Sequence, residues 1–231
     1  MKRKIVILTG AGMSAESGIK TFRGSSGLWE GHNISEVASP EGFKKNPELV
    51  LQFYNQRRKQ LLLAAPNEGH KDLVKLEDFY EVYIITQNID DLHERAGSSQ
   101  VIHLHGELRK AQSTLNKNLV YPWDKDIVIG DLCKEKSQLR PYIVWFGEEV
   151  PMLEKAVELT QIADILVVIG TSMQVYPAAS LIHYAKPYIP IYFIDPNPAI
   201  NKNSFKKLTI IQNIASLGVK KLLTFLTNSK G

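Results

Sequence analysis

A glycine-rich stretch directly after a short apolar run constrains the fold of this chain more than any other feature. The apolar run is Ile-Val-Ile-Leu at residues 5–8, and the stretch that follows reads Gly-Ala-Gly-Met-Ser-Ala at residues 10–15. A β-branched run that ends in closely spaced glycines is typical of a buried strand that turns sharply into a helix. Glycine is needed there because a Cβ would keep the backbone away from a phosphate, which the free N–H groups at the helix start then bind. The sequence therefore predicts a phosphate-binding turn.

The residues after this turn argue against a hydride-transferring dehydrogenase. Such an enzyme has a second strand and an acidic residue roughly 20 positions after the glycines, where the carboxylate binds the adenine ribose. This chain has instead a polar loop interrupted by glycines, Thr-Phe-Arg-Gly-Ser-Ser-Gly-Leu-Trp at residues 21–29. We therefore expect the turn to serve another kind of chemistry.

Four apolar runs of strand length predict the fold class. They lie at residues 5–8, 82–85, 165–169 and 190–194, and each is followed by polar or small residues. Runs that are apolar throughout are typical of parallel strands covered by helices on both faces. We expect an α/β fold with a doubly wound, Rossmann-like parallel sheet. Because ligands of such sheets bind at the carboxyl ends of the strands, the polar residues after the runs should share one crevice.

Two segments interrupt this alternation of strands and helices. In residues 25–69 a loop precedes a helix, with Asn46 as N-cap and Pro47 in the first turn, which should run to about Ala65. Residues 107–140 have poor apolar periodicity. We assign both segments to a smaller inserted module. The Rossmann-like domain is then formed by residues 1–24, 70–106 and 141–231.

Composition limits the classes of partner and compartment. The 231 residues carry a formal net charge of +4, with lysines scattered in small groups, which favours solvated surface over a nucleic-acid interface. The single cysteine allows no internal disulfide and suits a reducing cytoplasm. No apolar stretch is long enough to span a membrane. We expect a cytoplasmic protein that binds neither nucleic acid nor membrane.

Polar residues after the second apolar run and a nearby pair of histidines are the candidates for chemistry. His103 and His105 alternate on a strand-like piece, so both should face one side, as core residues, metal ligands or a general base. Gln87, Asn88 and Asp90 form either the start of a helix or a set of amide and carboxylate groups for a ligand. The run Asp-Asp-Leu-His at residues 90–93 also allows a metal site, although further ligands at a recognisable spacing are missing.

Six short segments, taken in order, resemble the sirtuins, which are NAD-dependent protein-lysine deacylases. They are residues 10–19, 21–24, 86–90, 103–106, 144–148 and 170–172. The resemblance runs from Lys4 to about Phe225 and is nearest to the small bacterial class III, or desuccinylase-type, sirtuins. It implies deacetylase and desuccinylase activity, in which the acyl group passes from lysine to ADP-ribose and nicotinamide is released. NAD is then a co-substrate, and acyl-lysine proteins or peptides are the partners.

The resemblance also implies roles for individual residues. His105 matches the general base, and Asn88 and Asp90 match residues that hold nicotinamide. Asp195 stands where many family members have asparagine, and His103 receives no role. The implied NAD-binding residues are Gly10, Ala11, Gly12, Ala15, Phe22, Arg23, Gln87, Asn88, Ile89, Asp90, Gly170, Thr171, Ser172, Asp195 and Ala215. The implied substrate-binding residues are Tyr54, Arg57, Val144, Phe146, Gly147, Glu148 and Val175.

The pair Tyr54 and Arg57 resembles the signature of sirtuins that accept acidic acyl groups such as succinyl. At a spacing of i, i+3 on a helix the two side chains share a face. Without the resemblance, both would be read as an ordinary solvated helix surface. Arg58 lies near the same face, so spacing alone does not choose between the two arginines.

One departure from the family concerns its zinc site. Most sirtuins have two Cys-x-x-Cys pairs after the residue that matches His105. Here Ser113 stands near the first position, Cys133 is the single cysteine, and Lys136 stands where its partner should be. Because structural zinc needs four ligands, we expect no metal, with apolar residues between 119 and 129 replacing its contacts. Two alternatives to the deacylase are a non-catalytic protein that binds NAD or ADP-ribose, and a metal hydrolase that uses His103, His105 and Asp90.

Overall fold

A six-stranded parallel sheet forms the centre of the structure, a computed structural model that describes residues 2–20, 28–29 and 31–228. The strands are β1 (Lys4–Thr9), β2 (Leu28–Trp29), β3 (His32–Asn33), β4 (Glu81–Thr86), β5 (Val101–His103), β6 (Gly106–Ser113), β7 (Val120–Pro122), β8 (Leu139–Ile143), β9 (Ile165–Ile169), β10 (Ile191–Ile194) and β11 (Leu208–Ile211). The helices are α1 (Ile34–Val37), α2 (Pro40–Lys45), α3 (Pro47–Leu63), α4 (Glu68–Lys75), α5 (Leu92–Ala96), α6 (Leu153–Ile162) and α7 (Ala215–Asn228). None of the helices in the described ranges has the length and apolar character of a membrane span.

The order of strands in the main sheet creates a crevice beside β1. The order is β11-β10-β9-β1-β4-β5, and all neighbouring pairs are parallel. The chain builds outward from β1 through β4 to β5 and then returns to the other side of β1 for β9. The strand order therefore reverses between β1 and β9, where an open sheet of this kind binds its ligands. The predicted doubly wound sheet is confirmed, and each of the four apolar runs overlaps a strand.

Helices cover both faces of this sheet. Successive residues of β1 point to opposite faces, so each face of the strand packs against different helices. Ile5 and Ile7 are fully buried in a cluster with residues of α4 and α7. Val6 and Leu8 are buried in a second cluster with residues of α6 and of the 3₁₀ segment Ala178–Tyr184. A strand buried on both faces is apolar at every position, which explains the continuous apolar run of β1.

The two inserted segments form one small module. Its three-stranded antiparallel sheet has the order β7-β6-β8. The predicted helix is α3, which begins after Asn46, whose side chain accepts a hydrogen bond from the Leu49 backbone at 3.1 Å. In the middle of α3, the Asn55 amide group exchanges two hydrogen bonds of 2.9 Å with the backbone of Ile127. The helix is therefore tied to the second segment, while the exact domain boundaries stay a prediction.

Candidate functional site

A cavity of about 730 Å³ opens at the carboxyl ends of β1, β4, β9 and β10. It lies at the point where the strand order reverses, and it extends under the segment that follows β8. Most of the residues that the sequence singled out line it. Those residues are Gly10, Ala11, Gly12, Ala15, Tyr54, Gln87, Asn88, Ile89, Asp90, His105, Val144, Phe146, Gly147, Glu148, Gly170, Thr171, Ser172, Val175 and Asp195.

Four of the predicted site residues are not among the described residues that line this cavity. Phe22 and Arg23 lie outside the described residues. Ala215 is buried in the cluster under the sheet, and the preceding residue Ile214 lines the cavity in its place. Arg57 lines a smaller neighbouring cavity. The side chain of Ala215 packs in the core at the start of α7, and its part in cofactor binding stays a prediction.

The glycine turn packs directly on the end of β9. The Gly12 N–H donates a 2.8 Å hydrogen bond to the Gly170 carbonyl, and a Cβ on Gly12 would lie only 2.6 Å from Gly170 Cα. The turn continues as two short 3₁₀ segments, Ala11–Met13 and Ala15–Ser17, rather than as the α-helix that we predicted. The close backbone contact therefore explains why glycine is required here, and the cavity side of the turn remains open to a ligand.

A chain of side-chain hydrogen bonds joins the glycine turn to the residues after β4. Ser14 Oγ donates to Asp90 Oδ2 at 2.9 Å and accepts from Asn88 Nδ2 at 3.1 Å. Burial raises the pKa of Asp90 to about 6, although the hydrogen bond from Ser14 opposes this shift. The network fixes the amide and the carboxylate side by side in the cavity wall. Sequence analysis did not single out Ser14, whose only signal was its place within the glycine-rich run.

The tautomer of His105 follows from its hydrogen bond. Its Nδ1 lies 3.0 Å from the Gln87 carbonyl oxygen, which can only accept, so Nδ1 carries the proton. The other ring nitrogen, Nε2, is then the basic one. Burial lowers the pKa of His105 below its usual value, although the contact with Gln87 opposes this shift. A half-buried histidine on the cavity wall, neutral near pH 7 with a free lone pair, is suited to accept a proton.

A second polar network lies beneath the cavity floor and was missed from the sequence. Thr9 Oγ1 donates to Thr86 Oγ1 at 2.9 Å and lies 3.1 Å from His93 Nε2. Thr86 Oγ1 in turn accepts from the Asn88 backbone N–H at 3.0 Å. Thr9 is 77 positions from Thr86 and 84 positions from His93, so no local sequence pattern indicates these contacts. The network ties the backbone of Asn88 to the ends of β1 and β4.

The side chains that could form the alternative metal site make other contacts. His93 bonds to Thr9, and Asp91 pairs with Arg109 at 2.7 Å. His103 contacts the Asn88 carbonyl and the carboxylate of Glu94. Within the described ranges, no three His, Cys, Asp or Glu side chains come together as a group that could hold a metal ion.

The segment after β8 closes the cavity from the side of the small module. Its backbone is anchored by bonds from the Val144 N–H to the His105 carbonyl, 2.9 Å, and from the Phe146 N–H to the Ala38 carbonyl, 3.0 Å. The Glu148 carboxylate forms a two-pronged salt bridge with Arg140, at 2.7 and 2.9 Å. Glu148 therefore stabilises this segment, and Phe146, which lines the cavity, is about half exposed.

Tyr54, Arg57 and Arg58 differ in what they contact. Tyr54 is fully buried at the cavity wall, where its hydroxyl accepts a 3.0 Å hydrogen bond from Trp145 Nε1. Burial raises the pKa of Tyr54 far above its usual value, so the hydroxyl stays protonated. The Arg57 guanidinium carbon lies 3.3 Å from the centre of the Phe53 ring. It lines a cavity of about 50 Å³ that shares Asp90 with the large one.

Arg58 lines neither of the two cavities. Its Nε donates to the Leu108 carbonyl at 2.9 Å and its Nη1 to Asn55 Oδ1 at 2.8 Å, and only 1% of the residue is exposed. Arg57 and Arg58 are neighbours on α3, but their contacts differ. Their helical spacing alone did not predict this difference.

The region of the missing zinc cysteines is held by small polar side chains. Cys133 Sγ lies 3.1 Å from Ser137 Oγ, which lies 2.7 Å from Ser113 Oγ. Lys136, which stands where the family has the partner of this cysteine, takes a left-handed backbone conformation, and the next residue, Ser137, makes the contact with Cys133. Of the apolar residues expected to replace zinc contacts, Ile127 is fully buried. Val128 and Ile129 are about half exposed, so the prediction was wrong for these two.

Comparisons of the sequence with known proteins agree with this geometry. A family model described as the Sir2 family matches residues 10–177. An NAD-dependent protein deacylase of Helicobacter pylori is 63% identical over 194 residues, which are 84% of this chain and 85% of that protein. One of Bacteroides thetaiotaomicron is 49% identical over 226 residues, which are 95% of this chain and 96% of that protein.

Comparisons of the fold with solved structures agree with the sequence comparisons. The structure of a mutant Sir2 homologue in complex with ADP-ribose has a TM-score of 0.89 at 38% identity, and the match covers 99% of this chain and 93% of that one. A Sir2 protein bound to an acetylated peptide has a TM-score of 0.79 at 29% identity, with 100% and 95% covered. The likeness therefore extends over both the main sheet and the small module.

Proposed function

Because this chain belongs to the Sir2 family, we infer that it is an NAD-dependent protein deacylase. The observation that carries this function is one cavity shared by the glycine turn, by His105 and by the 144–148 segment. A phosphate-binding turn, a histidine with a free basic nitrogen and a segment able to hold a peptide are the parts that such a reaction needs. The enzyme uses NAD as a co-substrate and removes acyl groups from lysine side chains.

We propose that NAD binds along the ends of the strands. The close packing of Gly12 on Gly170 holds the glycine turn against the end of β9, and residues 10–12 line the cavity, so the backbone of the turn can face a diphosphate. The side chains of Gln87 and Asp195 then face the ribose groups, and Asn88 with Asp90 holds the nicotinamide amide. Backbone and side-chain groups at 170–172 complete the cofactor site. Phe22 would shield the reacting ribose carbon from water and Arg23 would contact phosphate or ribose, as the family resemblance implies.

The reaction transfers the acyl group from lysine to the ADP-ribose part of NAD while nicotinamide leaves, and it consumes one water molecule. The chain contributes the proton acceptor and the positioning of the groups that react. The Gln87 carbonyl holds His105 with Nε2 unprotonated, so this nitrogen can take a proton from a ribose hydroxyl. Asn88 is fixed at its backbone by Thr86 and at its amide by Ser14. Such fixed polar groups orient a substrate without reorganising during the reaction.

We propose that the substrate peptide lies between residues 144–148 and 173–176 as an added strand. Backbone hydrogen bonds dominate in this mode of binding, so preference for the peptide sequence should be loose. Val144 and Phe146 would line the tunnel for the acyl-lysine chain, with Val175 opposite. Since the Glu148 carboxylate is already bound to Arg140, we expect Glu148 and Gly147 to contribute backbone groups.

An assay of acyl-lysine peptides with and without NAD tests this function. We expect nicotinamide, O-acyl-ADP-ribose and free lysine peptide in equal amounts, read by mass spectrometry, and inhibition by added nicotinamide. Peptide that stays acylated although NAD or ADP-ribose binds would contradict the deacylase and support a binding protein. Turnover that needs a divalent metal but no NAD would support the metal hydrolase.

The acyl group that the enzyme prefers should depend on Arg57. We propose that the carboxylate of a succinyl group meets the Arg57 guanidinium and the Tyr54 hydroxyl where the two cavities adjoin. A charge-assisted hydrogen bond contributes about 1.5–3 kcal/mol, and desolvation of both charges removes part of it. We therefore expect Arg57→Met to lower kcat/KM for a succinyl peptide about tenfold and to leave an acetyl peptide nearly unaffected.

Lys59→Met is the matched control for this experiment. Lys59 lies on the same helix and loses the same charge, but its side chain is 66% exposed and pairs with Asp126 at the surface. The ratio of succinyl to acetyl kcat/KM should stay at the wild-type value in this variant. If Arg57→Met also left the ratio unchanged, the preference for acidic acyl groups would be disproved, and a plain deacetylase would remain.

We further propose that the small module folds without structural zinc. The contacts among Ser113, Cys133 and Ser137 and the buried side chain of Ile127 support this proposal. In small zinc modules the metal contributes about 10–16 kcal/mol of apparent binding energy, so a chelator unfolds them. We expect elemental analysis of the purified protein to find far less than one zinc per chain, and a chelator to leave the melting temperature unchanged. One zinc per chain would disprove the proposal.

A further inference from the structure

His103, to which no role has been given, contacts the Asn88 peptide and is not among the residues that line the cavity. It ends strand β5, and its Nδ1 lies 3.1 Å from the Asn88 carbonyl oxygen. Its Nε2 lies 2.7 Å from the Glu94 carboxylate on α5, and only 8% of its side chain is exposed. The imidazole thus bridges an acidic side chain and the backbone of a residue in the cavity wall.

The two contacts of His103 determine its charge. A carbonyl oxygen and a carboxylate both accept hydrogen bonds, so each ring nitrogen must carry a hydrogen if both bonds form. Only the imidazolium form has both hydrogens. His105 differs in this respect, because its single contact with Gln87 needs one hydrogen and leaves Nε2 basic. The two histidines of the same motif are therefore in opposite protonation states: His103 is charged and His105 is neutral.

We propose that His103, held in its charged form by Glu94, is a positioning residue for Asn88 and thereby for NAD. With this bond, Asn88 is fixed at three points: the N–H by Thr86, the amide by Ser14 and the carbonyl by His103. If one of these three bonds is lost, the backbone of Asn88 can rotate, and the side-chain amide of Asn88 then turns away from the ligand. This inference rests on the deacylase function, because it assigns Asn88 to the nicotinamide side of the cavity.

The charged groups around His103 support the imidazolium. Burial alone would lower the pKa of His103, but the hydrogen bond and charge of Glu94 outweigh burial and raise it. Glu107 adds a weaker attraction, as does Asp90 in the cavity wall, while the buried neutral His93 stands nearby on α5. A raised pKa means that the proton is kept to a higher pH than in an ordinary histidine. NAD binding should therefore weaken as alkaline pH removes this proton.

The experiment measures NAD saturation kinetics with a saturating acetyl-lysine peptide, from mildly acidic to alkaline pH. For Glu94→Gln we expect the KM for NAD to rise about tenfold, since one charge-assisted hydrogen bond is lost. The KM for the peptide should stay within twofold of wild type. The fall of kcat/KM for NAD on the alkaline side should begin at a lower pH. In His103→Gln, which keeps one donor but has no group to titrate, that alkaline fall should disappear.

Glu107→Gln is the matched control, because it removes the same charge near His103 without removing a hydrogen bond to it. The Glu107 carboxylate pairs with Lys110 at 2.6 Å instead. This variant should keep the wild-type KM for NAD and should shift the alkaline limb much less than Glu94→Gln does, because the attraction of Glu107 is the weaker one. Equal values for Glu94→Gln and Glu107→Gln in both measurements would overturn the proposal.

An NMR titration of the histidine ring signals in the free protein separates this inference from the deacylase function. The His103 signal, identified by its absence in His103→Gln, should titrate above the range of an ordinary histidine, and at lower pH in Glu94→Gln. A neutral His103 at pH 7 would overturn the proposal even if the wild type is fully active. Wild-type protein without NAD-dependent turnover would instead disprove the function, while the titration still reports the charge of His103.

Discussion

His105→Ala should turn over acyl-lysine peptide about 10²- to 10⁴-fold more slowly than wild type, the usual effect of losing a general base. The bond from Nδ1 to the Gln87 carbonyl leaves Nε2 as the one basic nitrogen of the ring. Alanine at this position cannot accept a proton, but it leaves the glycine turn and the Asn88 network intact. We therefore expect calorimetry to show that the variant binds NAD nearly as well as wild type, while its kcat is strongly lowered.

The pH profile gives a second test of the same assignment. Because burial lowers the pKa of His105, the ring stays neutral below the pH at which an ordinary histidine gains its proton. The acid limb of kcat should therefore lie below the usual histidine pKa of 6.5. His183→Ala is a suitable control, since that ring is exposed and packs near Phe205 away from the cavity lining. Full activity of His105→Ala would disprove the assignment of the base.

Arg58→Met should destabilise the small module. The buried guanidinium binds the Leu108 carbonyl and Asn55 Oδ1. Methionine would leave the Leu108 carbonyl without this donor, while Asn55 Oδ1 would keep only its bond from the Ile127 N–H. An orphaned buried acceptor costs about 1–3 kcal/mol, so we expect a loss of about 2 kcal/mol in the free energy of unfolding. Urea denaturation measures this loss. Arg58→Met is for the same reason unsuitable as a neutral control for acyl preference.

Lys59→Met provides the comparison for Arg58→Met as well. Its exposed salt bridge with Asp126 contributes little, so the free energy of unfolding should change by no more than about 0.5 kcal/mol. A similar small loss in Arg58→Met would show that the buried contacts of that arginine do not stabilise the module.

Features with a local cause were predictable from the sequence. The continuous apolar run of β1 identified a strand buried on both faces, and the polar residues after β4 identified one side of the cavity. Helix α3 was predicted because Asn46 caps its first turn and Pro47 starts it. In each case the deciding residues are neighbours in the sequence, so their pattern is visible without the fold.

Features with a distant cause were missed. Ser14 and Asp90 are 76 positions apart, and Thr9 and His93 are 84 apart, so only the folded sheet brings each pair together. The 3₁₀ form of the glycine turn also has a distant cause, since Gly12 bonds to the end of β9. Spacing on a helix says which residues share a face, but the partner across that face decides their roles. That limit explains the difference between Arg57 and Arg58.

The pair of hydrogen bonds between Asn55 and Ile127 has a consequence for the order of folding. It closes a loop of 72 residues, and closing a flexible loop of that length costs about 4 kcal/mol of chain entropy. The intervening chain contains β4 and β5, so folding of the main sheet brings the two ends together and removes much of this cost. The small module should therefore form after the sheet and unfold together with it. Backbone amide hydrogens near Asn55 and those near Ile127 should exchange with solvent at matching rates.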